Sequence, residues 1–391
     1  MADSKIRVCR DENMIRLGDV ATYINGYAFK PEDRGEEGLP IIRIQDLTGN
    51  AHDLGFYNGE YPKKVEINDG DILISWSASL GVYIWSEGKA LLNQHIFKVV
   101  FDKVAIDKNY FVYAVRRKLV EMGMKTHGAT MKHIVKKDFD ATLIPYPTLD
   151  KQAEIAVNLN KVSSIIEARE QELQLLDNLI KARFVEMFGD PKINDKCWNS
   201  GMISDFYKVK GGKRIPKGMG YADGITAHPY LRATDMKNET IIDDDIHYID
   251  NEVYEHIKRY TVKGGDIYLT NVGVNLGMAG VIPDQYDGAN LTENAVKLVP
   301  KTEKVIDGRF LAHYINSPGI QVYINERKMS VGVPKLAIFR IETMPLLLPP
   351  IAIQMQFVQF CDQVNKSKVK VQKALDETQK LFDSLMQQYF G

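Results

Sequence analysis

The sequence predicts an α+β protein. Two mixed α/β globular domains, related by pseudo-twofold symmetry, are separated by two long antiparallel coiled-coil helices. Three observations predict this. The chain is an internal repeat, each copy opens with short strand-like runs, and each copy closes on a long heptad pattern.

The repeat emerges when one half is laid over the other. IIRIQDL (41–47) matches YLRATDM (230–236), which puts Arg43 on Arg232 and Asp46 on Asp235. GDILIS (70–75) matches GDIYLT (265–270), SLG (79–81) matches NLG (275–277), and LNQH (92–95) loosely matches LTEN (291–294). Pro147 falls on Pro349, Gln152 on Gln354, and MFG (187–189) on YFG (389–391). The offset grows steadily through 189, 195, 196, 199 and 202, as small loop insertions between two copies of one fold would produce. No single match is specific; their common order is.

Within each copy the first part has turn residues feeding apolar runs rich in Ile, Leu, Tyr and Thr, as in VEINDGDILISW and YTVKGGDIYLTN. PIIRIQDL and PYLRATDM are similarly short β-like runs. Helical patterns are interspersed at KNYFVYAVRRKLVEMG (108–123) and DGRFLAHYINSPG (307–319). There is no regular βαβ rhythm of a parallel sheet.

The second part is a helix. From Ile155 a 4-3-4-3 spacing lands on Ile155, Leu159, Val162, Ile166, Arg169, Leu173, Leu176, Ile180, Arg183 and Met187. The same frame 202 residues later lands on Phe357, Cys361, Val364, Lys368, Val371, Leu375, Thr378, Phe382, Leu385 and Tyr389. Eight of ten positions are apolar in each, a heptad seam of nearly five heptads. The proline steps LIPYPTLDKQAEI and PLLLPPIAIQMQF start these helices, with Thr148 as a candidate N-cap and Pro350 in a first turn. Gly189-Asp190-Pro191 stops the first. Helices of about 40 residues run some 60 Å at 1.5 Å per residue. The expected division is residues 1–147, a globular domain; 148–189, a central helix; 190–349, a second globular domain; and 350–391, a C-terminal helix.

The chain has 391 residues, 45% of them hydrophobic and 26% charged, enough for two or three cores. There is no apolar run long enough for a membrane span and no secretory signal at MADSKIRVCRDEN. Cys9, Cys197 and Cys361 are odd in number and far apart, so neither a disulfide framework nor a zinc site is supported, and a cytoplasmic protein is expected. Net charge is −1, but cations cluster in residues 115–137 and 205–217. Nucleic-acid binding depends on such clusters rather than on bulk charge.

Catalytic signatures are missing. GGKRI and EGKAL are not phosphate-binding loops, VGVNLGMAG is not GxGxxG, and no HExxH, GxSxG or adenine-methyltransferase signature occurs. Asp243-Asp244-Asp245 reads as a solvated turn, since three adjacent carboxylates do not all point one way. His127 and His133 lie in a basic segment without metal-ligand spacing. The residues describe a binder without a catalytic centre.

The tandem architecture and the segments INGYAFKPEDRGEEGLPIIRIQDL, GDILISWSASLG, GATMKHIVKKDFDATLIPYPTLDKQAEI, MFG and YFG together resemble the specificity subunit of type I restriction–modification systems, over essentially the whole chain. The second copy departs from the pattern, with SVGVPKLAIF for ATMKHIVKKDF and KGGKRIPKG for INGYAFKPE. The resemblance implies that each globular domain is a target recognition domain and that the helices are spacers that also hold partner subunits. It implies binding to an asymmetric, bipartite site in double-stranded DNA. Two modification subunits would bring S-adenosylmethionine and methylate adenine. Restriction subunits would bring ATP- and magnesium-dependent translocation and cleavage. This chain would carry no cofactor, no metal and no catalytic residue.

Phosphate contacts call for Lys and Arg in loops, and base reading for polar forks. The DNA-binding candidates in the first domain are Tyr23, Lys30, Arg43, Trp76, Lys125, His127 and Lys132. In the second they are Lys213, Arg214, Lys217, Arg232, Asn271, Lys328 and Lys335. Arg43 and Arg232 recur in both copies, which fits base reading and equally fits a structural pair with Asp46 and Asp235. Leu175, Leu179 and Phe184 are the candidates for partner binding on the helices. Two other classes stay open: a specificity subunit of a related methyltransferase–nuclease that cuts on both sides of its site, and a two-headed scaffold that binds proteins rather than DNA.

Overall fold

The computed structural model describes residues 14–50, 53–125, 134–301 and 305–391. The chain divides into two compact units. Unit 1 runs to Glu170 and takes in Lys373–Gly391; unit 2 is Gln171–Gln372.

In unit 1, strands β1 (Thr22–Asn25), β5 (Ile72–Ser75), β6 (Gly81–Ile84) and β8 (Ile96–Val100) form an antiparallel sheet in the order β1-β8-β5-β6. A second sheet has the order β3-β2-β7-β4, from β2 (Leu39–Ile42), β3 (Gly55–Tyr57), β4 (Glu66–Ile67) and β7 (Ala90–Leu92). Its one parallel pair is β2 with β7. Unit 2 rebuilds this plan. Strands β9 (Tyr207–Gly211), β12 (Ile267–Thr270), β13 (Ala279–Val281) and β15 (Ala295–Pro300) are ordered β9-β15-β12-β13. Beside them β11 (His247–Tyr248), β10 (Pro229–Leu231) and β14 (Asn290–Leu291) are ordered β11-β10-β14, and again β10 and β14 are the parallel pair. The repeat seen in the sequence is therefore a repeat of topology.

Two sequence-based expectations shift. The run IIRIQDL is not all strand: after β2 the chain makes a helical turn at Ile44–Leu47, because the Asp46 carboxylate accepts the Arg43 N–H at 2.7 Å and turns the backbone. The helix expected over 307–319 breaks at Ser317. Gly308–Asn316 is one helix and Pro318–Arg327 the next, with Pro318 in its first turn, where its missing N–H is harmless.

Four helices position the rest: α1 (Lys108–Lys125), α2 (Leu149–Phe188), α3 (Gly308–Asn316) and α4 (Ile351–Phe390). Helices α2 and α4 have 40 residues each, and the unit boundary falls inside both. In unit 1 the start of α2 (Ile155, Ala156, Leu159) and the end of α4 (Met386, Phe390) share one core with Tyr110 and Phe111 of α1. In unit 2 the end of α2 (Phe184, Phe188) shares a core with the start of α4 (Phe357, Val358, Cys361) and with Phe310 and Tyr314 of α3. Contacts Asp177–Lys368 and Phe184–Phe357 run in opposite senses along the two helices, so within unit 2 they are antiparallel. All twenty seam positions are buried or half-buried.

The proline steps are tied down identically. Gln152, fully buried, accepts the Asp107 N–H at 2.9 Å and donates to the Pro147 carbonyl at 2.8 Å. Gln354, also fully buried, accepts the Asp307 N–H at 2.9 Å and donates to the Pro349 carbonyl at 2.8 Å. Thr148 accepts the Lys151 N–H, as an N-cap should, and Pro350 precedes the first residue of α4. Gly189 ends α2 at φ +74°, the left-handed region that glycine enters freely.

Candidate nucleic-acid interface

At one end of each four-stranded sheet, backbone hydrogen bonds gather segments far apart in sequence. In unit 2 the Lys213 N–H donates to Leu291, the Asn271 N–H to Asn294, the Leu336 N–H to Asn271, and the Gly273 N–H to Pro334, all at 2.8–2.9 Å. Four segments thus meet: residues 212–217, 271–278, 292–294 and 328–336. In unit 1 the first three of these bonds recur. The Tyr27 N–H donates to Leu92, the Trp76 N–H to His95, and the Ile134 N–H to Trp76. The close approach demands glycine: a Cβ at Gly26 would collide with the Asn93 carbonyl, and one at Gly212 with the Thr292 carbonyl.

Lys213, Arg214, Lys217, Lys328 and Lys335 all lie on this rim in unit 2. Lys213 is exposed, its Nζ 5.8 Å from the Tyr260 ring. Arg214 pairs with Glu293 at 2.5 Å, yet its side chain is 78% exposed. Burial works against ionisation of Glu293, but Arg214 and local hydrogen bonds outweigh it and hold this carboxyl below its ordinary range. An exposed pair of this kind contributes little to stability, so Arg214 can exchange Glu293 for a phosphate. Lys328 donates to Asn325 Oδ1 at 2.7 Å, and Lys335 sits exposed in a backbone bridge to Met329.

The rims differ in character. The loop after β9 (residues 212–228) carries Lys213, Arg214 and Lys217 against Asp223, whereas the loop after β1 (26–38) carries Lys30 and Arg34 against Glu32, Asp33, Glu36 and Glu37. Lys30 is exposed, 3.8 Å from Glu32. Trp76 is half-buried, stacked on Phe97 at 5.6 Å, and donates Nε1–H to Asn25 at 3.2 Å. Lys125 ends α1. His127 and Lys132 lie outside the described residues.

Several candidates belong elsewhere. Tyr23 is a core residue: strand alternation turns it inward against Phe139, its hydroxyl donates to the Leu17 carbonyl, and burial, then Asp140, raises its pKa. The exposed tyrosine is Tyr27, two residues past the end of β1, edge-on to Phe29 at 4.9 Å. Asn271 is buried; its amide donates to the Leu336 carbonyl, so it fastens two rim segments rather than facing outward. Phe184 lies in the unit 2 core, 3% exposed, because the end of α2 is enclosed by α3 and the start of α4. Leu175 and Leu179 are exposed, as a partner surface requires.

Arg43 and Arg232 resolve as structural clamps. Arg43 Nε donates to Asp46 at 3.1 Å and its Nη2 to the Asp53 carbonyl; the hydrogen bond to Asp46 raises its pKa. Arg232 grips Asp235 through Nε and Nη2 and donates to the Asp245 carbonyl. Each arginine joins the end of its strand to the chain entering β3 or β11. The third partner, Asp53 or Asp245, escaped the sequence reading because it lies ten or thirteen residues on. Two of the three adjacent carboxylates do separate jobs: Asp245 serves Arg232, while Asp243 accepts the Tyr286 hydroxyl at 2.9 Å.

Among the described residues no group of three or more His, Cys, Asp and Glu side chains could hold a metal ion. Among them, too, no helix is long and apolar enough to cross a membrane.

A family model described as "Type I restriction modification DNA specificity domain" matches residues 10–178 and again 195–378. The chain belongs to this family. Both copies of the repeat are thus specificity domains. The chain is 22% identical to the type I restriction enzyme EcoBI specificity subunit of Escherichia coli, over 96% of this chain and 85% of that one. It is 21% identical to the MjaVIII specificity subunit of Methanocaldococcus jannaschii, over 98% and 88%. Among solved structures it resembles a type I restriction–modification S subunit from M. genitalium, with TM-score 0.54 and 14% identity, covering 99% of this chain and 98% of that one. A structure described as bearing on complex assembly and conformational transition of the type I system aligns with TM-score 0.59 and 13% identity, covering 96% and 97%. The family is one of DNA specificity subunits, and the fold is theirs.

Proposed function

We propose that this chain reads a bipartite DNA sequence for a type I restriction–modification complex. Residues 1–147 and 190–349 act as the two target recognition domains, and residues 148–189 and 350–391 as the helices that hold partners. The observation that carries this reading is the rim built twice: the same backbone junction, on the same sheet order, presents unlike side chains in the two units. Such a pair of readers suits a site whose halves differ in sequence. Lysines and Arg214 on the unit 2 rim would set register on phosphates, while groove-facing side chains discriminate bases. The loop after β1, with four carboxylates to two cations, would draw less on phosphate charge than the loop after β9.

Adenine methylation by S-adenosylmethionine, and ATP-driven cleavage, belong in this reading to modification and restriction subunits. The exposed Leu175 and Leu179 on α2 would seat a modification subunit. The test is a map of methylated adenines in cells carrying the complex, with residues 1–147 exchanged for the matching domain of a relative. One half of the methylated motif should change and the other should persist. A change in both halves, or no dependence of methylation on this chain, would overturn the reading.

A further inference from the structure

The unit 2 rim ends in two apolar tips. Met329 and Lys335 exchange backbone hydrogen bonds at 2.8 and 3.1 Å, closing a hairpin with Val331 at its tip beside Gly332 at φ +80°. Next to it, residues 271–278 form a turn, with Gly273 at φ +100° and its N–H bonded to Pro334. Val274 on this turn is 98% exposed and Val331 is 96% exposed. Single exposed valines are ordinary on a protein surface. Here two stand on segments bonded to each other. Across residues 271–278 and 328–336 the charged side chains are Lys328 and Lys335, with no carboxylate. Neither valine adds to the core, and a β-branched side chain is stiff, so each tip is held ready for contact.

Apolar tips flanked by lysines suit a DNA groove: the cations meet phosphates at the edges and the tips reach the base edges. The apolar feature that the major groove offers is the C5-methyl group of thymine. Side chains that wedge between base steps in the minor groove are bulkier than valine. We propose that Val274 and Val331 read thymine methyl groups in the half-site bound by unit 2. This deepens the DNA-reading function and rests on it. The corresponding turn of unit 1, Trp76-Ser-Ala-Ser-Leu80, has no valine, so the readout is confined to one half-site.

The test uses the full chain assembled with its modification subunits. Duplexes carry the methylated motif, or the motif with one thymine at a time replaced by deoxyuridine, which removes only the methyl group. Wild type should bind at least one uracil-substituted duplex about fourfold more weakly, the effect of losing one buried methyl group. V274A or V331A should bind the thymine duplex as weakly as the uracil duplex, with discrimination falling to one. Equal wild-type affinity for thymine and uracil at every position overturns the proposal. So does a half-site without thymine, or a loss in the variants that is equal on both duplexes. Failure of the wild-type complex to prefer the motif over unrelated DNA would instead overturn the DNA-reading function, and the valine readout with it. The tips are exposed, so circular dichroism should show no change in folding.

Discussion

Replacing Gln354 with leucine tests how the chain passes from a globular unit into a long helix. Prolines 345, 349 and 350 deprive this step of N–H donors, and the turn leaves backbone groups at Asp307 and Pro349 without secondary-structure partners. Gln354 satisfies both from a fully buried position, and its Nε2 also reaches the Val305 carbonyl at 3.2 Å. Leucine is close in size, so little cavity opens. It strands a buried donor and a buried acceptor, each costing about 1–3 kcal/mol, for a total of about 2–6 kcal/mol. For a unit of this size each kcal/mol moves the melting temperature by about 2–4 °C, so Q354L should melt about 4–24 °C lower. Q354E should be no better, because its carboxylate faces the Pro349 and Val305 carbonyls with no proton to donate. Gln152→Leu should produce the matching loss in unit 1. Calorimetry reads the global effect, and amide hydrogen exchange at Asp307 or Asp107 reads the local one. If both leucine variants melt within 2 °C of wild type and those amides stay protected, the glutamines do not secure the junctions.

Three further predictions follow from particular contacts. Arg43→Ala and Arg232→Ala should each lower stability by about 1–3 kcal/mol, from lost charged hydrogen bonds, while the methylated motif keeps its sequence; a changed base in the motif would return them to the reading surface. Phe184→Ala should destabilise unit 2 by about 3–5 kcal/mol, whereas Leu175→Asp with Leu179→Asp should change stability by less than about 1 kcal/mol and abolish co-purification with modification subunits; the reverse pattern in denaturant titration and pull-down would refute the placement. Burial disfavours a charged His313, but Cys361 and the Glu239 carboxylate 2.9 Å away outweigh it and raise the imidazole to about 10. A raised folded-state pKa contributes stability that is complete below the ordinary value of 6.5 and is lost as pH rises through about 10. The gap in melting temperature between wild type and H313L should therefore be wide at pH 6 and narrow by pH 10; a constant gap would show that the ion pair is not what His313 contributes.

The helices were legible because a heptad seam is a local property: spacing alone placed all twenty seam residues on buried or half-buried positions. The paired glutamines were legible because they recur at a fixed offset. What failed were side-chain directions set by turns and tertiary context. Tyr23 and Tyr27 look equivalent in YINGYAFK, but Tyr23 sits within β1 with its ring in the core, whereas Tyr27 lies past the end of that strand, bonds to Leu92 and is exposed. Phe184 lies one position off the seam, and on an isolated coiled coil it would face solvent; the unit 2 core encloses it instead. The rim itself was beyond sequence reasoning, since Gly212 finds Ala295 and Leu336 finds Asn271 only through non-local backbone pairing.

Recurrence between the halves carries a meaning opposite to the one that first made Arg43 and Arg232 attractive. Under the proposed function the two heads read different half-sites, and so share a scaffold but not a target. A residue present at the same place in both heads therefore serves the scaffold. Gly26 and Gly212 relieve the same backbone collision, Gln152 and Gln354 fasten the same junction, and Arg43 and Arg232 clamp the same turn. Discrimination has to come from positions where the backbone bond is retained and the side chain is not. Tyr27 against Lys213 is such a pair, each donating its N–H to the leucine that ends the parallel strand. His95 against Asn294 is another, each carbonyl accepting from the residue that follows β5 or β12. Exchanging side chains at these unlike pairs perturbs no shared hydrogen bond, so a resulting change in the methylated motif would report base reading directly.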